Sequence, residues 1–487
     1  MILSLPSGAS RGFPRRVYSG RGFIPPSDDK QMSYSEFVQS KLSSSPMTGL
    51  ESVGTLPEAM FPHQRDLVTW ALRRGRSAVF ADTGLGKTRI GLAWADQVPG
   101  DVLILTPCAV APQMVAEGIE VGINVTHCRT GDDVRPGINV TNYERLHLFD
   151  ASRFTGVMLD ESSCIKHHDT KTLKQLLDVF ADTPFKLCAT ATPAPNDWTE
   201  LGTHAEFLGV CSRSEMLAEF FVHDGGDTQT WRLKGHARHI FWQWVASWGA
   251  LVRSPADLGH DASRYVLPPL NAQEHIITTD FVMPGALFVD EAQSLMERRT
   301  ARRQTIAQRV EACARIVNAD SEPWVVWCDL NAEGDALRAA IPGAVEVRGS
   351  DDLDTKERRL HDFAAGRIRV LITKPSIAGF GLNWQHCARM AFVGVTDSFE
   401  SYYQSVRRCW RFGQTRSVDV HVFASDREGA VVANLKRKET DALAMADMLS
   451  SETRAAVQKN VCGIVRQTNP YNADRPVVVP AFLREVA

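Results

Sequence analysis

The run Ala81-Asp82-Thr83-Gly84-Leu85-Gly86-Lys87-Thr88 brings together residue types that hold phosphate. A short apolar stretch, Ala78-Val79-Phe80, precedes it, and Ile90, Ala93, Trp94 and Val98 follow at helical spacing. Loop and first-turn N–H groups in such a strand–loop–helix unit have no partner inside the helix. They point at phosphate oxygens, where the helix dipole favours negative charge. Thr83, Gly84, Leu85, Gly86, Lys87 and Thr88 are therefore the candidate nucleotide contacts. Lys87 would neutralise the β/γ-phosphates and the Thr88 hydroxyl would take a place on Mg²⁺. A second constellation is Gly156-Val157-Met158-Leu159 driving into Asp160-Glu161. Unpaired carboxylates are costly to bury, so acids at a strand end imply a cation or solvent beside them. Asp160 reads as the Mg²⁺ support, through water, and Glu161 as the base for an attacking water. Third, Gln404, Arg408 and Arg411 fall at i, i+4 and i+7, on one face if the segment is helical. Guanidiniums aimed the same way repel unless an anion lies before them, and a γ-phosphate reached across a cleft is such an anion.

These groups need elements to position them. Phe61-Pro62-His63-Gln64-Arg65 opens a helical pattern just upstream of the cradle, and the Gln64 amide has the donor and acceptor to read an adenine edge. Asp101–Thr106 followed by Pro107 reads as a buried parallel strand, Ile138 and Val140 mark a shorter one leading into Thr141-Asn142, and Phe185–Cys188 runs into Ala189-Thr190-Ala191-Thr192-Pro193. The hydroxyls of Thr190 and Thr192 can relay hydrogen bonds from a nucleotide site, although a Thr-rich turn needs no such role.

Residues 211–320 break the strand–helix rhythm and read as a mostly helical insert, with Trp231, Trp242, Trp244 and Trp248 as its core rather than a stacking platform. Arg298, Arg299, Arg302, Arg303 and Arg309 follow, and the expected role of that run is a solvated face, with phosphate tracking the rival. The rhythm resumes with candidate strands 324–327, 345–347, 369–373, 390–393 and 419–423, without a second phosphate cradle, so this part should cooperate with the first. Gly379-Phe380-Gly381-Leu382-Asn383 sits among them.

The chain has 487 residues, too many for one ordinary core. It is 44% hydrophobic and 23% charged, the balance of a globular protein, with no apolar run long enough for a bilayer and no secretory signal pattern. Ten scattered cysteines without C-x-x-C spacing fit a reducing compartment, and a cytoplasmic location is expected. A net charge of −3 requires that any nucleic-acid contact be a local groove. Residues 1–50 read as a disordered arm rich in Gly, Ser, Pro and Arg, with Met32 an alternative start.

Taken together these residues resemble the Swi/Snf-like ATPases of helicase superfamily two, DEAD/DEAH-like proteins, particularly compact versions encoded by bacteriophages and prophages. The resemblance runs from about Phe61 to the region of Lys438. It rests on Phe61–Gln64, Ala81–Thr88, Thr106-Pro107, Asp160-Glu161, Ala189–Pro193, Gly379–Asn383 and, most specifically, Gln404-x3-Arg408-x2-Arg411-x-Gly413-Gln414. It implies an α/β fold of two RecA-like parallel-sheet lobes (51–210 and 321–430) separated by the insert 211–320, with a helix and tail at 431–487. It also implies ATP and Mg²⁺ as cofactors, duplex DNA as the track, and Gly381 and Gln404 beside the nucleotide. Thr106, Pro107, Thr141, Asn142, Thr190 and Thr192 are then the candidate nucleic-acid contacts, and phage or host replication or recombination proteins the candidate partners; a phage-encoded chain would act in the bacterial cytoplasm. Ser162-Ser163 departs from the family's Ala-His after the acids, and Asp397-Ser398-Phe399-Glu400 replaces its Trp-Asn-Pro segment. The function expected is an ATP-dependent DNA translocase or helicase. An ATP-binding nucleic-acid clamp or assembly factor with little turnover, and an RNA helicase, are the alternatives, with a packaging ATPase less fitting.

Overall fold

The computed structural model describes residues 48–107, 110–194, 197–224, 227–278, 302–378, 382–394, 398–426, 437, 450–451 and 453–462. The expected arm therefore lies outside it except for its last residues, where Leu50 N–H bonds to the Leu72 carbonyl. Gly379, Phe380, Gly381, Arg298 and Arg299 also lie outside.

Two all-parallel sheets organise the chain. The first contains β1 (Arg76–Ala81), β2 (Val102–Thr106), β3 (Val125–His127), β4 (Ile138–Asn142), β5 (Gly156–Asp160), β6 (Phe185–Ala189) and β9 (Gly249–Val252), in the order β3-β4-β2-β5-β6-β1-β9. An antiparallel hairpin, β7 (Phe221–Asp224) and β8 (Asp227–Leu233), stands outside it. The second sheet contains β10 (Leu270–Ile277), β11 (Trp324–Trp327), β12 (Val345–Glu346), β13 (Val370–Thr373), β14 (Arg389–Phe392) and β15 (Val418–Ser425), in the order β10-β15-β14-β11-β13-β12. Strands such as Val102-Leu103-Ile104-Leu105 and Val370-Leu371-Ile372 are buried throughout, as parallel strands covered by helices on both faces must be. These are the two RecA-like lobes.

The stretch 211–320 is less separate, and less purely helical, than its sequence suggests. Gly249–Val252 pairs with β1 beside the glycine loop, and Leu270–Ile277 pairs with β15 at the edge of the other sheet. Both strands are short or lie at a sheet edge, so neither shows a strong alternation of its own. Between β6 and β9, Trp242 and Trp248 are buried in the aromatic core of the first lobe, with Trp198, Phe220, Phe241 and Trp244 packed against them. In sequence they do form a core.

Of the basic run, Arg303 is exposed as expected of a solvated face, but Arg302 and Arg309 are buried. Arg309 is fully buried on the inner stripe of the helix Ile306–Ala319, 2.8 Å from an equally buried Glu333, and Arg302 lies 2.7 Å from Asp329. Glu333 also accepts the N–H groups of Asp329 and Leu330 at the start of the next helix. The charge is thus an internal cross-tie between two helices of the second lobe. Removing one member strands the other in the interior, which costs ~3–5 kcal/mol, whereas replacing both with apolar residues is often neutral. Arg309→Met should therefore lower the urea midpoint of the second lobe steeply, and Arg309→Met combined with Glu333→Leu should restore most of it.

Candidate functional site

A cleft of about 400 Å³ opens where the two lobes meet, at the carboxyl ends of β1 and β5. Its wall takes Gln64, Thr83, Gly84, Gly86, Lys87, Thr88, Asp160 and Glu161 from the first lobe, and Asn383, Gln385, Arg408, Arg411 and Phe412 from the second. Most of the residues expected to handle a nucleotide therefore face one volume. The exceptions are informative. The Leu85 side chain turns into the core while its carbonyl accepts from both His63 Nε2 (3.2 Å) and Gln64 Nε2 (3.0 Å). Gln404 is buried behind the cleft rather than in its wall.

The loop keeps its shape through two glycines with positive φ. Gly86 (φ 85°) starts the helix Lys87–Gln97, and a Cβ there would come 2.2 Å from Gln64 Nε2. Gly84 (φ 92°) would set a Cβ 2.8 Å from Phe412 Cβ of the opposite lobe. Gln64 accepts from Phe61 N–H at 3.1 Å as well as donating to Leu85, so its amide here braces the loop and leaves one N–H and one lone pair for a base.

Charges of both signs crowd the cleft, with Lys87, Arg408 and Arg411 facing Glu117, Asp160 and Glu161. Lys87 Nζ donates to the Ala81 carbonyl at 3.0 Å; burial pulls its pKa down, against Glu161, Asp82 and Asp160. Burial and then Glu161 push the Asp160 carboxyl up to about 7. Glu161 sits at φ 51°, ψ 52°, the sole non-glycine positive φ among the described residues, a conformation that costs about 1–3 kcal/mol and turns its carboxylate toward the cleft and Thr190. Opposite, Arg408 and Arg411 both donate to the Leu382 carbonyl, at 3.2 and 3.0 Å. Burial and Arg408 bring the Arg411 guanidinium down to about 9, so it stays charged at neutral pH with its Nε unpaired. The helical spacing expected for these arginines does not hold. The helix is Phe399–Val406, and Arg408 and Cys409 continue in tighter turns, their N–H groups bonding to Ser405 and Val406. That turn, not a helix face, converges the two guanidiniums.

A hydrogen-bond chain links the acids to the arginines. Thr190 Oγ1 donates to Glu161 (3.4 Å), Thr192 N–H to Thr190 Oγ1 (3.2 Å), Gln404 Nε2 to Thr192 Oγ1 (3.1 Å) and Arg408 Nη2 to Gln404 Oε1 (3.0 Å). Thr192 thus meets the other lobe directly, and Thr190 lies buried behind it against Glu161. Thr106, Thr141 and Asn142, expected to touch nucleic acid, are buried at the ends of β2 and β4, Thr106 bonding to the Thr141 carbonyl; these side chains are not surface contacts. Pro107 instead lines a second interlobe cavity of about 390 Å³ with Tyr143, Glu161 and Glu400, behind the acid pair.

Several cross-lobe contacts had no signal in the sequence. Buried Arg407 pairs with Asp82 at 3.0 Å and donates to the Thr83 carbonyl at 3.3 Å, so it grips the glycine loop itself. Burial opposes its charge, but Asp82 and Tyr403 outweigh that and raise its pKa. Lys166 pairs with Glu400, Asn383 donates to Glu117 at 3.3 Å, and Arg129 and Arg145 meet Asp354. A preceding Arg in Arg407-Arg408 was the only available hint. Thr88 and Asp160, a hydroxyl and a carboxylate on one wall, are the hard oxygen donors that suit Mg²⁺, and Asp160 lacks enough positive charge of its own to stay fully ionised; the pair fits the ion.

Comparison with known families gives a match for part of the chain: residues 326–413, within the second lobe, match the model described as helicase conserved C-terminal domain. Comparison with curated protein sequences gives no match. Among solved structures, S. cerevisiae Dbp5 bound to RNA and ADP BeF3 is similar over 80% of this chain and 93% of its own, at 11% identity and a TM-score of 0.49.

If Arg407 holds the lobes against each other, Arg407→Ala should make the ligand-free protein more extended in small-angle X-ray scattering. An unchanged radius of gyration would remove that role. Gly86→Ala, by displacing Gln64, should weaken nucleotide binding at least tenfold with the unfolding midpoint of the second lobe unchanged.

Proposed function

We propose that this protein is an ATPase of helicase type that uses hydrolysis to move along nucleic acid, and that its track is DNA, in duplex form. The observation that carries the proposal is the cleft itself. One lobe presents Lys87, Thr88, Asp160 and Glu161, the other presents Arg408 and Arg411, whose acidic neighbours Glu117 and Glu161 lie across the cleft, and a triphosphate with its divalent cation is a ligand that meets both walls.

In this reading Lys87 and the loop N–H groups hold the β- and γ-phosphates, and Gln64 and Phe61 border the base. Thr88 and Asp160 would hold Mg²⁺, which would supply charge neutralisation at the phosphate oxygens. Glu161, fixed by its backbone and by Thr190, takes the proton of the attacking water. Arg408 and Arg411 meet charge that develops on the γ-phosphoryl group. The chain through Thr190, Thr192 and Gln404 then makes the position of Glu161 sensitive to where the second lobe sits, which is the physical requirement for coupling hydrolysis to movement. The preference for DNA over RNA rests on the resemblance of the segment ending Arg411-Phe412-Gly413-Gln414 to Swi/Snf-like motors. A bacteriophage origin and replication or recombination partners belong to the same resemblance.

The test is steady-state ATPase with duplex, forked and single-stranded DNA and with RNA. Stimulation greatest on duplex supports the proposal, stimulation by RNA alone makes the chain an RNA helicase, and binding without stimulated turnover makes it a clamp. Lys87→Ala, Glu161→Gln and Arg411→Ala should each lower stimulated turnover by about 10³-fold or more, with the Arg411 variant retaining nucleotide affinity best. Full activity in any one of them removes that residue's role.

Asp160 supplies a pH signature. Its folded pKa lies above the ordinary carboxylate value, so the ligand-free protein holds a proton there between about pH 4 and 7. Mg²⁺ must displace that proton. The apparent affinity for Mg²⁺ with ADP should therefore rise up to about tenfold per pH unit below 7 and level off above it. Calorimetric titration from pH 5.5 to 8.5 checks this, and a flat profile would show that Asp160 is already ionised.

A further inference from the structure

Three side chains distant in sequence converge away from the cleft. Asp66 lies on the helix Pro62–Arg74, His260 follows the turn Pro255–Leu258, and Cys462 ends the helical residues 453–462. One carboxylate oxygen, Asp66 Oδ2, sits 2.7 Å from His260 Nε2 and 3.4 Å from Cys462 Sγ, and the three donor atoms all lie within 4.8 Å of one another. The Leu258 carbonyl is 3.7 Å from the same sulfur. All three side chains are partly exposed, so the site is reachable from solvent.

We propose that Asp66, His260 and Cys462 form a transition-metal site selective for Zn²⁺. Imidazole, thiolate and carboxylate together are a borderline-soft donor set that suits Zn²⁺ and disfavours Mg²⁺ or Ca²⁺. Tetrahedral Zn²⁺ with ligand bonds of about 2.0–2.3 Å separates its donors by roughly 3.3–3.8 Å. The sulfur–carboxylate spacing already falls there, and the His260–Asp66 hydrogen bond needs to open by a little over half an ångström. The cation replaces two hydrogens now engaged with Asp66. The Cys462 proton leaves to solvent, and the imidazole proton moves to Nδ1 or leaves, freeing the Nε2 lone pair. Water, or the Leu258 carbonyl, completes four ligands.

The site has a structural consequence. Residues 450–451 and 453–462 are otherwise held by polar contacts, Ser450 and Arg454 to Asp257 and Asn460 to the Ala246 carbonyl, with Val457 as their buried apolar anchor. A bound metal would fasten this carboxyl-terminal segment to the helix that carries His63 and Gln64, the two residues bonded to Leu85 of the glycine loop. The tie is independent of the ATPase reading, and so is its test.

Untagged full-length protein, freed of metal, is titrated with Co²⁺ as the optical substitute for Zn²⁺. The expected result is one equivalent bound with a near-ultraviolet thiolate-to-cobalt charge-transfer band and tetrahedral ligand-field absorption, both abolished by stoichiometric Zn²⁺. Cys462→Ser should remove the charge-transfer band, and His260→Ala should weaken binding at least tenfold. Zn²⁺ should raise the thermal midpoint of the wild type but of neither variant. No charge-transfer band in the wild type, or a band that survives both substitutions, overturns the site and points to another thiol such as exposed Cys164.

Discussion

Like charges held together out of water need a reason, and the interlobe cleft is built around such a pair. Arg408 and Arg411 share one carbonyl, that of Leu382, and among the described residues of their own lobe no carboxylate pairs with them. Across the gap Asp160 and Glu161 stand side by side with Lys87 between them and the glycine loop. Each lobe on its own carries an electrostatic cost. Bringing the lobes together lowers part of it, since Glu161 and Glu117 act favourably on the arginines, and a multivalent anion with its cation would lower the rest. Closure and ligand binding are therefore the same free energy seen from two sides.

This constraint explains why so many polar contacts cross the cleft without being strong individually. Arg407 on Asp82 and Thr83 acts on the loop, Gln404 on Thr192 acts on the segment after β6, and Lys166 on Glu400 acts behind the acid pair. Phe412 sits against Gly84, and its ring stacks 4.7 Å from Tyr265 and meets Phe61 edge-on at 6.2 Å, so the second lobe also closes one side of the base region with apolar surface. Any rotation of the second lobe must break a specific set of hydrogen bonds that terminates at Glu161.

The sequence was most legible where chemistry and secondary structure use the same residues. A glycine loop between a buried strand and a helix, or two acids after four apolar positions, leaves few alternatives, and Lys87, Thr88, Asp160 and Glu161 were placed on one cleft as expected. It was least legible where a partner comes from far away. Arg309 carries the charge of a surface residue and the periodicity of a core one, and only Glu333 decides between them. Thr106, Thr141 and Asn142 are polar enough to suggest contact with a ligand, yet each closes a buried strand end. β9 has only four residues and β10 is a largely exposed edge strand, and both take their identity from the strands they join, β1 and β15. Arg408 and Arg411 were assigned to the right place by the wrong geometry, because a turn after Val406 and a helix face both bring residues three apart together.

The position of β9 also has mechanical meaning. It extends the first sheet beside β1, and Asp82 N–H bonds to the Val252 carbonyl, so the chain leaving the aromatic core is fastened directly to the glycine loop before it crosses to β10 in the other sheet. The crossing segment carries Tyr265 to the side of Phe412 and delivers Leu270–Ile277 to the outer edge of the second lobe. One covalent connection thus contributes to both sheets and to the rim of the cleft. Strain at the loop has a short path to the second lobe through β9 and this connection, and a second path through Arg407. The two paths meet at Asp82, whose N–H takes the backbone route to Val252 and whose carboxylate takes the side-chain route to Arg407 and Tyr403.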